Sequence, residues 1–223
     1  MTVADARQQI LAANAAAAAS LRDQWTRAGT LVVNLISSPG SGKTTLLATL
    51  AKALAGRFRM AAIVGDIATE LDADRLRQAG LPAYQIVTGG SCHLDARMVE
   101  KAVETAKFGP LDLLFVENVG NLVCPANYDL GEHEKIVLLS VTEGTDKPFK
   151  YPGIFSKADV AVLTKMDLAP LVPFDLAAVT TQITTLRPQV QIVRVSSTTG
   201  AGIDELAALL ARKVATCKAS SQR

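Results

Sequence analysis

The chain has 223 residues, 49% of them apolar and 20% charged, with a formal net charge of +2; that suffices for the core of one α/β domain and gives no case for nucleic acid as a partner. No run of about 18 apolar residues is present to span a membrane, and the Ala-rich start, interrupted by Asp5, Arg7, Asn14 and Arg22, lacks the basic-then-apolar layout of a secretion signal. Three cysteines, an odd number, do not suggest a disulfide framework, so a reducing cytoplasm is the expected location.

Residues 3–27 predict an Ala-rich helix whose larger apolar residues are Ile10, Leu11, Leu21 and Trp25; it either packs on the domain or serves as an arm for a partner. An apolar strand follows at 31–36, then a helix at 43–55, a strand at 59–65 closed by Asp66, a helix at 72–79 and a short strand at 83–87. Gly89-Gly90 leads into Ser91-Cys92-His93, and 95–106 reads as a helix. LDLLFVE at 111–117 is a continuous apolar run closed by Glu117, as in a strand buried on both faces. A strand at 135–141 precedes a loop containing Pro148 and Pro152, followed by a strand at 158–164, a helix at 174–186 and a strand at 191–197. The last helix, 203–216, carries Leu206, Leu209, Leu210 and Val214 on one face. This alternation predicts an α/β fold with a doubly wound, mostly parallel sheet and sites at the C-terminal ends of its strands. The expected organisation is an N-terminal helical extension at 1–30, a P-loop domain at 31–216 and a flexible tail at 217–223.

LVVNLISSPGSGKTTLL at 31–47 organises the chain: strand, glycine-rich loop, helix. Gly40 and Gly42 let backbone N–H groups, with Ser41 between them, curl around an anion, and the new helix points its positive end at it. Lys43 is placed to reach the β- and γ-phosphates, Thr44 to hold Mg²⁺, and Thr45 continues the binding turn. Ser37 stands where the strict pattern asks for glycine. A Gly/Ser turn with a solvated lysine is the bland reading; the order of elements argues against it.

Thr164-Lys165-Met166-Asp167 follows an apolar strand about 120 residues downstream. It matches the Asn-Lys-x-Asp of GTPases except for Thr164. An aspartate here accepts two hydrogen bonds from guanine, which adenine cannot donate, and the lysine stem lies along the base. Val195-Ser196-Ser197-Thr198 resembles the last guanine-contacting loop, which assigns Ser196 and Ser197 to the nucleotide site. Asp66 and Glu117 end strands where a carboxylate can hold Mg²⁺ beside the γ-phosphate, and both are candidate catalytic groups with Lys43. Glu117-Asn118-Val119-Gly120 resembles the DxxG loop, in which the Gly120 N–H would sense the γ-phosphate. Asp72 and Asp74 read as helix-start acids rather than ligands.

Cys92, His93 and Cys124 form a possible soft-metal set, suited to Ni²⁺ or Zn²⁺. Spacing alone leaves a second reading open, in which the cysteines are core residues and the histidine a surface one. One chain offers three ligands, so a symmetric interface between two chains would complete the site. His133, between Glu132 and Glu134, is expected to be solvated, and Cys217 structural.

These residues resemble the HypB family, GTPases that assist nickel delivery to nickel-iron hydrogenase. NLISSPGSGKTTLL, GDIATELDADRL, TGGSCHLDA, FVENVGNLVCPANYDLGEHEKIVLLSVTEGTDKPFKYPGIF and LTKMDLAP stand at the family's motif positions and in its order. Asn14 and the helix before Asn34 also fit. The resemblance implies a SIMIBI-like P-loop GTPase fold with GTP and Mg²⁺ as cofactors. It further implies a homodimer formed on GTP binding, with Ni²⁺ or Zn²⁺ on Cys92, His93 and Cys124 at its interface. The implied partners are an accessory protein of the HypA type and the hydrogenase large-subunit precursor. The chain starts MTVADARQQI and has two histidines, so the N-terminal cysteine motif of some members and the histidine-rich stretch of others are not expected, nor is nickel storage.

The expected mechanism is a slow GTP-driven switch, since no water-orienting Gln or arginine finger is evident. Lys147 and Lys150 are candidates to reach phosphates across a dimer. The urease nickel GTPase, a near rival, uses a Cys-Pro-His motif where this chain has Cys124-Pro125-Ala126. Other rivals are a carrier that uses nucleotide only structurally and a small-molecule P-loop kinase.

Overall fold

The computed structural model describes residues 2–67 and 70–221. Among these, seven strands form one parallel sheet: β1 (Leu31–Ile36), β2 (Met60–Asp66), β3 (Ala83–Val87), β4 (Leu113–Glu117), β5 (Glu134–Ser140), β6 (Val160–Thr164) and β7 (Gln191–Arg194). Their order is β3-β2-β4-β1-β5-β6-β7. The strands β1, β4 and β6 are buried along their whole length, which explains their apolar runs, interrupted within β1 by Asn34. Helices α1 (Val3–Ala28), α2 (Lys43–Ala53), α3 (Leu71–Gln78), α4 (Ala96–Ala106), α5 (Lys147–Lys150), α6 (Pro152–Phe155), α7 (Leu176–Leu186) and α8 (Ile203–Ser220) connect and flank them. No helix of the described residues is long and apolar enough to cross a membrane.

Every motif singled out above lies at or just beyond the C-terminal end of a strand. The sheet order explains why they meet: β1 sits between β4 and β5, so the chain winds outward in both directions from the strand that carries the phosphate loop. The register sets Glu117 of β4 beside Leu35 of β1 and Val64 of β2.

The first helix is built into the domain. Thr2 and Asp5 form a reciprocal cap at its start, and Ala18, Leu21 and Trp25 are buried in one cluster with Val32, Ile63, Val99 and Val116. Asn14, also buried, accepts from the Ala96 N–H at 2.9 Å and donates to the Asp129 carbonyl at 2.8 Å. Of the two expectations for this helix, packing on the domain is what the structure shows.

Four local expectations need correction. The proline-containing stretch after β5 is not plain loop: Pro148 and Pro152 stand in the first turns of the short helices α5 and α6, where a missing N–H goes unneeded. The last strand ends at Arg194, because Ser196 and Gly200 close a turn in which the Ser196 N–H donates to the Ala201 carbonyl. The expected flexible tail is helical through Ser220, with Cys217 buried against the core; its last two residues lie outside the described set, as does residue 1. His133 is half-buried rather than solvated: its Nδ1 accepts from the Val32 N–H at 3.0 Å, so Nε2 carries the proton and donates to Thr26 Oγ1 at 3.0 Å.

Candidate functional site

The phosphate loop turns sharply between β1 and α2. Gly40 and Gly42 have φ of +75° and +95°, the left-handed region that a Cβ disfavours. Ser37 does not share that conformation, so the position needs no glycine. Its hydroxyl instead donates to the Ser38 carbonyl at 2.7 Å and accepts from Lys43 Nζ at 2.9 Å. Lys43 is buried; that burial pulls its pKa down, while Glu117, Asp72, Glu143 and Asp66 push it back up.

A cavity of about 500 Å³ opens over this loop. Its wall brings together Gly40, Gly42, Lys43, Thr44, Thr45, Asp66, Glu117, Gly120 and Lys165 of the expected site. Glu117 Oε1 accepts from Thr44 Oγ1 at 2.8 Å, whereas its Oε2 is buried with no partner. Burial raises the Glu117 pKa to about 7, against the pull of Lys43 and the Thr44 hydroxyl. A buried carboxylate oxygen without a partner, beside a hydroxyl, is the donor set a small hard cation takes. Gly120 lies so close to Pro39 of the phosphate loop that a Cβ there would sit 3.1 Å from it. Asp72 stands in the first turn of α3, as expected, but also lines the cavity together with Arg75, to which it is paired at 3.1 Å.

At the other end, Thr164 Oγ1 donates to the Ser41 carbonyl at 2.7 Å. The threonine that replaces asparagine thus holds the phosphate loop from beneath. Lys165 has φ of +57° and donates from Nζ to the Gly40 carbonyl at 2.8 Å; a non-glycine residue held there is stored strain of the kind found at binding sites. Asp167 and Ser196 are not on the cavity wall. Ser196, buried, donates to Asp167 Oδ1 at 2.6 Å, so it orients the aspartate, and the half-buried Ser197 follows it in the same turn. Glu143 escaped the sequence reading: it accepts from Ser41 Oγ at 2.6 Å and from the Ser140 N–H at 3.0 Å. The available signal was an acid just past a strand end. Within one chain, Lys147 Nζ lies 3.2 Å from Ser38 Oγ, and Lys150 turns away to Asp146 at 2.6 Å.

The third group lies on the loops after β3 and β4. Cys92, His93 and Cys124 bring one ligand atom each within 4.8 Å of one another, the metal-competent group among the described residues. The two sulfurs are 2.7 Å apart, and both thiols are free. Its hydrogen bond with Cys92, then burial, raise the Cys124 thiol pKa. Burial lowers that of His93 and so favours the neutral imidazole that binds metals. Asn121 Oδ1 accepts from the Val123 and Cys124 N–H groups at 2.7 and 3.3 Å, which fixes the turn carrying Cys124. The Tyr128 ring stacks on His93 with centroids 3.8 Å apart.

Residues 31–194 match the family model described as CobW/HypB/UreG, nucleotide-binding domain. The hydrogenase maturation factor HypB of Azotobacter chroococcum mcd 1 is 48% identical over 207 residues, covering 92% of this chain and 68% of its own length. The chain belongs to the HypB family of hydrogenase maturation factors. Two solved HypB structures share its architecture. That of HypB from Helicobacter pylori in complex with nickel gives a TM-score of 0.87 at 40% identity, covering 91% of this chain and 95% of that one. That of the hydrogenase maturation factor HypB from Archaeoglobus fulgidus gives 0.85 at 36%, covering 91% and 99%. The fold is therefore that of the HypB P-loop GTPases. Against that background, Ser37 and Thr164 are departures from general GTPase patterns that this HypB chain accommodates with hydrogen bonds.

Proposed function

We propose that the chain is a GTP-hydrolysing metallochaperone that forms a homodimer with GTP and helps deliver nickel during nickel-iron hydrogenase maturation in the cytoplasm. One observation carries this reading. The loop after β4 lines the nucleotide cavity with Glu117 and Gly120 and, four residues on, supplies Cys124 to the metal group. A γ-phosphate that moves this loop also moves a metal ligand.

Lys43, Thr44 and the backbone of Gly40–Thr45 would cradle the phosphates, and Asp167, oriented by Ser196, would accept from guanine. Thr44, Asp66 and Glu117 would hold Mg²⁺, which neutralises phosphate charge when bound; the buried, unpartnered Glu117 oxygen supports that assignment. Arg75 on the cavity wall is engaged by Asp72, which fits slow hydrolysis to GDP and phosphate. Nickel or zinc is cargo on Cys92, His93 and Cys124. Three donors leave coordination positions that a second copy would fill. A HypA-type accessory protein and the hydrogenase large-subunit precursor are the partners this role requires.

The test is titration of Ni²⁺ and Zn²⁺ into wild type, Cys92→Ala and Cys124→Ala, each with GDP and with a non-hydrolysable GTP analogue, while mass is followed for dimer formation. Loss of binding in both variants and a nucleotide-dependent affinity in wild type support the switch. Equal affinity in both nucleotide states leaves a carrier whose metal site only assembles the dimer.

A further inference from the structure

Cys92 and His93 follow β3, a strand that carries no nucleotide-binding residue, so the chain itself gives them no route to the nucleotide. Leu94, the next residue, provides one. Its side chain is fully buried and lies so close to Gly65 that a Cβ on Gly65 would sit 2.9 Å from three Leu94 atoms. Gly65 immediately precedes Asp66. The Leu94 N–H, in turn, donates to Asn118 Oδ1 at 3.1 Å. Asn118 immediately follows Glu117. The loop that ends in Cys92 and His93 is thus fastened at one residue to both strand ends that carry candidate Mg²⁺ carboxylates.

Asn118 is completely buried, and both ends of its amide are hydrogen-bonded. The same Oδ1 also accepts from the Val119 N–H at 3.0 Å, and Nδ2 donates to Asn34 Oδ1 at 3.3 Å. Asn34, in the middle of β1, donates from its own Nδ2 to Glu132 Oε1 at 3.1 Å, and Lys135 pairs with Glu132. The fixed end of the network is therefore the centre of the sheet, and the free end is one oxygen shared by two backbone N–H groups on two different loops. A rearrangement of Glu117–Gly120 that turns the Asn118 amide must surrender or re-aim the Leu94 bond, because an unpaired buried N–H is costly.

We infer that Asn118 is the positioning residue through which the nucleotide state sets the place of the Cys92–His93 half of the metal site. This rests on the switch reading above. Cys124 moves with the same loop directly along the chain, so one loop governs both halves of the ligand set.

The test compares Ni²⁺ affinity in wild type and Asn118→Ala, each saturated with GDP or with a non-hydrolysable GTP analogue so that any change in nucleotide affinity drops out. Wild type is expected to show a ratio of about tenfold between the two states. In Asn118→Ala the ratio falls close to one, while Ni²⁺ still binds in the GDP state. A variant that keeps the wild-type ratio overturns the inference and leaves the switch standing. A wild-type ratio of one overturns the switch and the inference with it. If Asn118→Ala does not fold, amide hydrogen exchange of residues 91–95 in metal-free wild type decides. Exchange that differs between the two nucleotide states supports the junction, and identical exchange overturns it.

Discussion

Thr44 Oγ1 donates to one oxygen of Glu117 at 2.8 Å, while the other oxygen of that carboxylate is buried without a partner. The arrangement is a compromise between a hydrogen bond that favours the carboxylate and burial that disfavours it, and burial dominates, with a pKa of about 7.

That raised pKa has a defined sign. The nucleotide-free fold binds a proton at Glu117 where the unfolded chain has released it, so this contribution is fully present below about pH 4.5 and is lost as pH rises through about 7. Thermal melts of nucleotide-free wild type should therefore fall relative to Glu117→Gln between pH 5 and pH 8, two settings that bracket the transition. Titration of the same variant with GTP should show at least about a tenfold loss of the Mg²⁺-dependent part of the affinity, equivalent to about 1.4 kcal/mol.

Thr164 and Asp167 should separate into different roles. Thr164→Ala orphans the buried Ser41 carbonyl, at a cost of about 1–3 kcal/mol, and should weaken GTP and ATP binding alike. Asp167→Ala should instead collapse the preference for guanine over adenine. Competition binding with GTP and ATP reads both, and a changed base preference in Thr164→Ala would contradict the tether.

His133 gives the opposite pH slope. Burial first, then the Arg22 charge, lower its pKa below 6.5. Protonation would set an N–H on Nδ1 against the Val32 N–H. Stability from this group is thus present above about pH 6.5 and is lost as pH falls toward the lowered value. A His133→Gln variant should be less stable than wild type at pH 7.5 and close part of that gap at pH 5.5, measured by denaturant unfolding.

Asn14 ties α1 to both metal-bearing loops, through Ala96 beyond Cys92–His93 and Asp129 beyond Cys124. Asn14→Ala should lower stability by about 1–3 kcal/mol by leaving the buried Ala96 N–H and the part-buried Asp129 carbonyl without their partner. Trp25→Ala should lower it by about 3–5 kcal/mol through lost packing. Both should unfold in a single transition; a separate early transition for α1 would show it to be an independent extension.

The phosphate loop, the strand and helix order, and the acids at strand ends were legible because they are local: turn chemistry, apolar runs and spacing along one stretch of chain. Ser37 and Thr164 were visible as departures, but their compensation was not, because each acts on a partner whose position depends on backbone φ or on another strand. The bond from Ser196 to Asp167 was likewise hidden, because it joins two loops 29 residues apart. His133 read as solvated from its charged neighbours, yet the start of β1 and the end of α1 close over it.

Composition and motif order by themselves determined a nucleotide-binding α/β domain with three soft-metal candidates. Only the tertiary structure decided that Cys92 and Cys124, 32 residues apart, lie side by side. It also made Asn118 the bond between their loops and packed the first helix into the core. The reason is strand order: β2 is inserted between β3 and β4, so the loops after β3 and β4 converge at one edge of the sheet around the end of β2. Pairing of that kind is set by hydrogen-bond register and burial summed over the whole sheet, and no local pattern of residues encodes it.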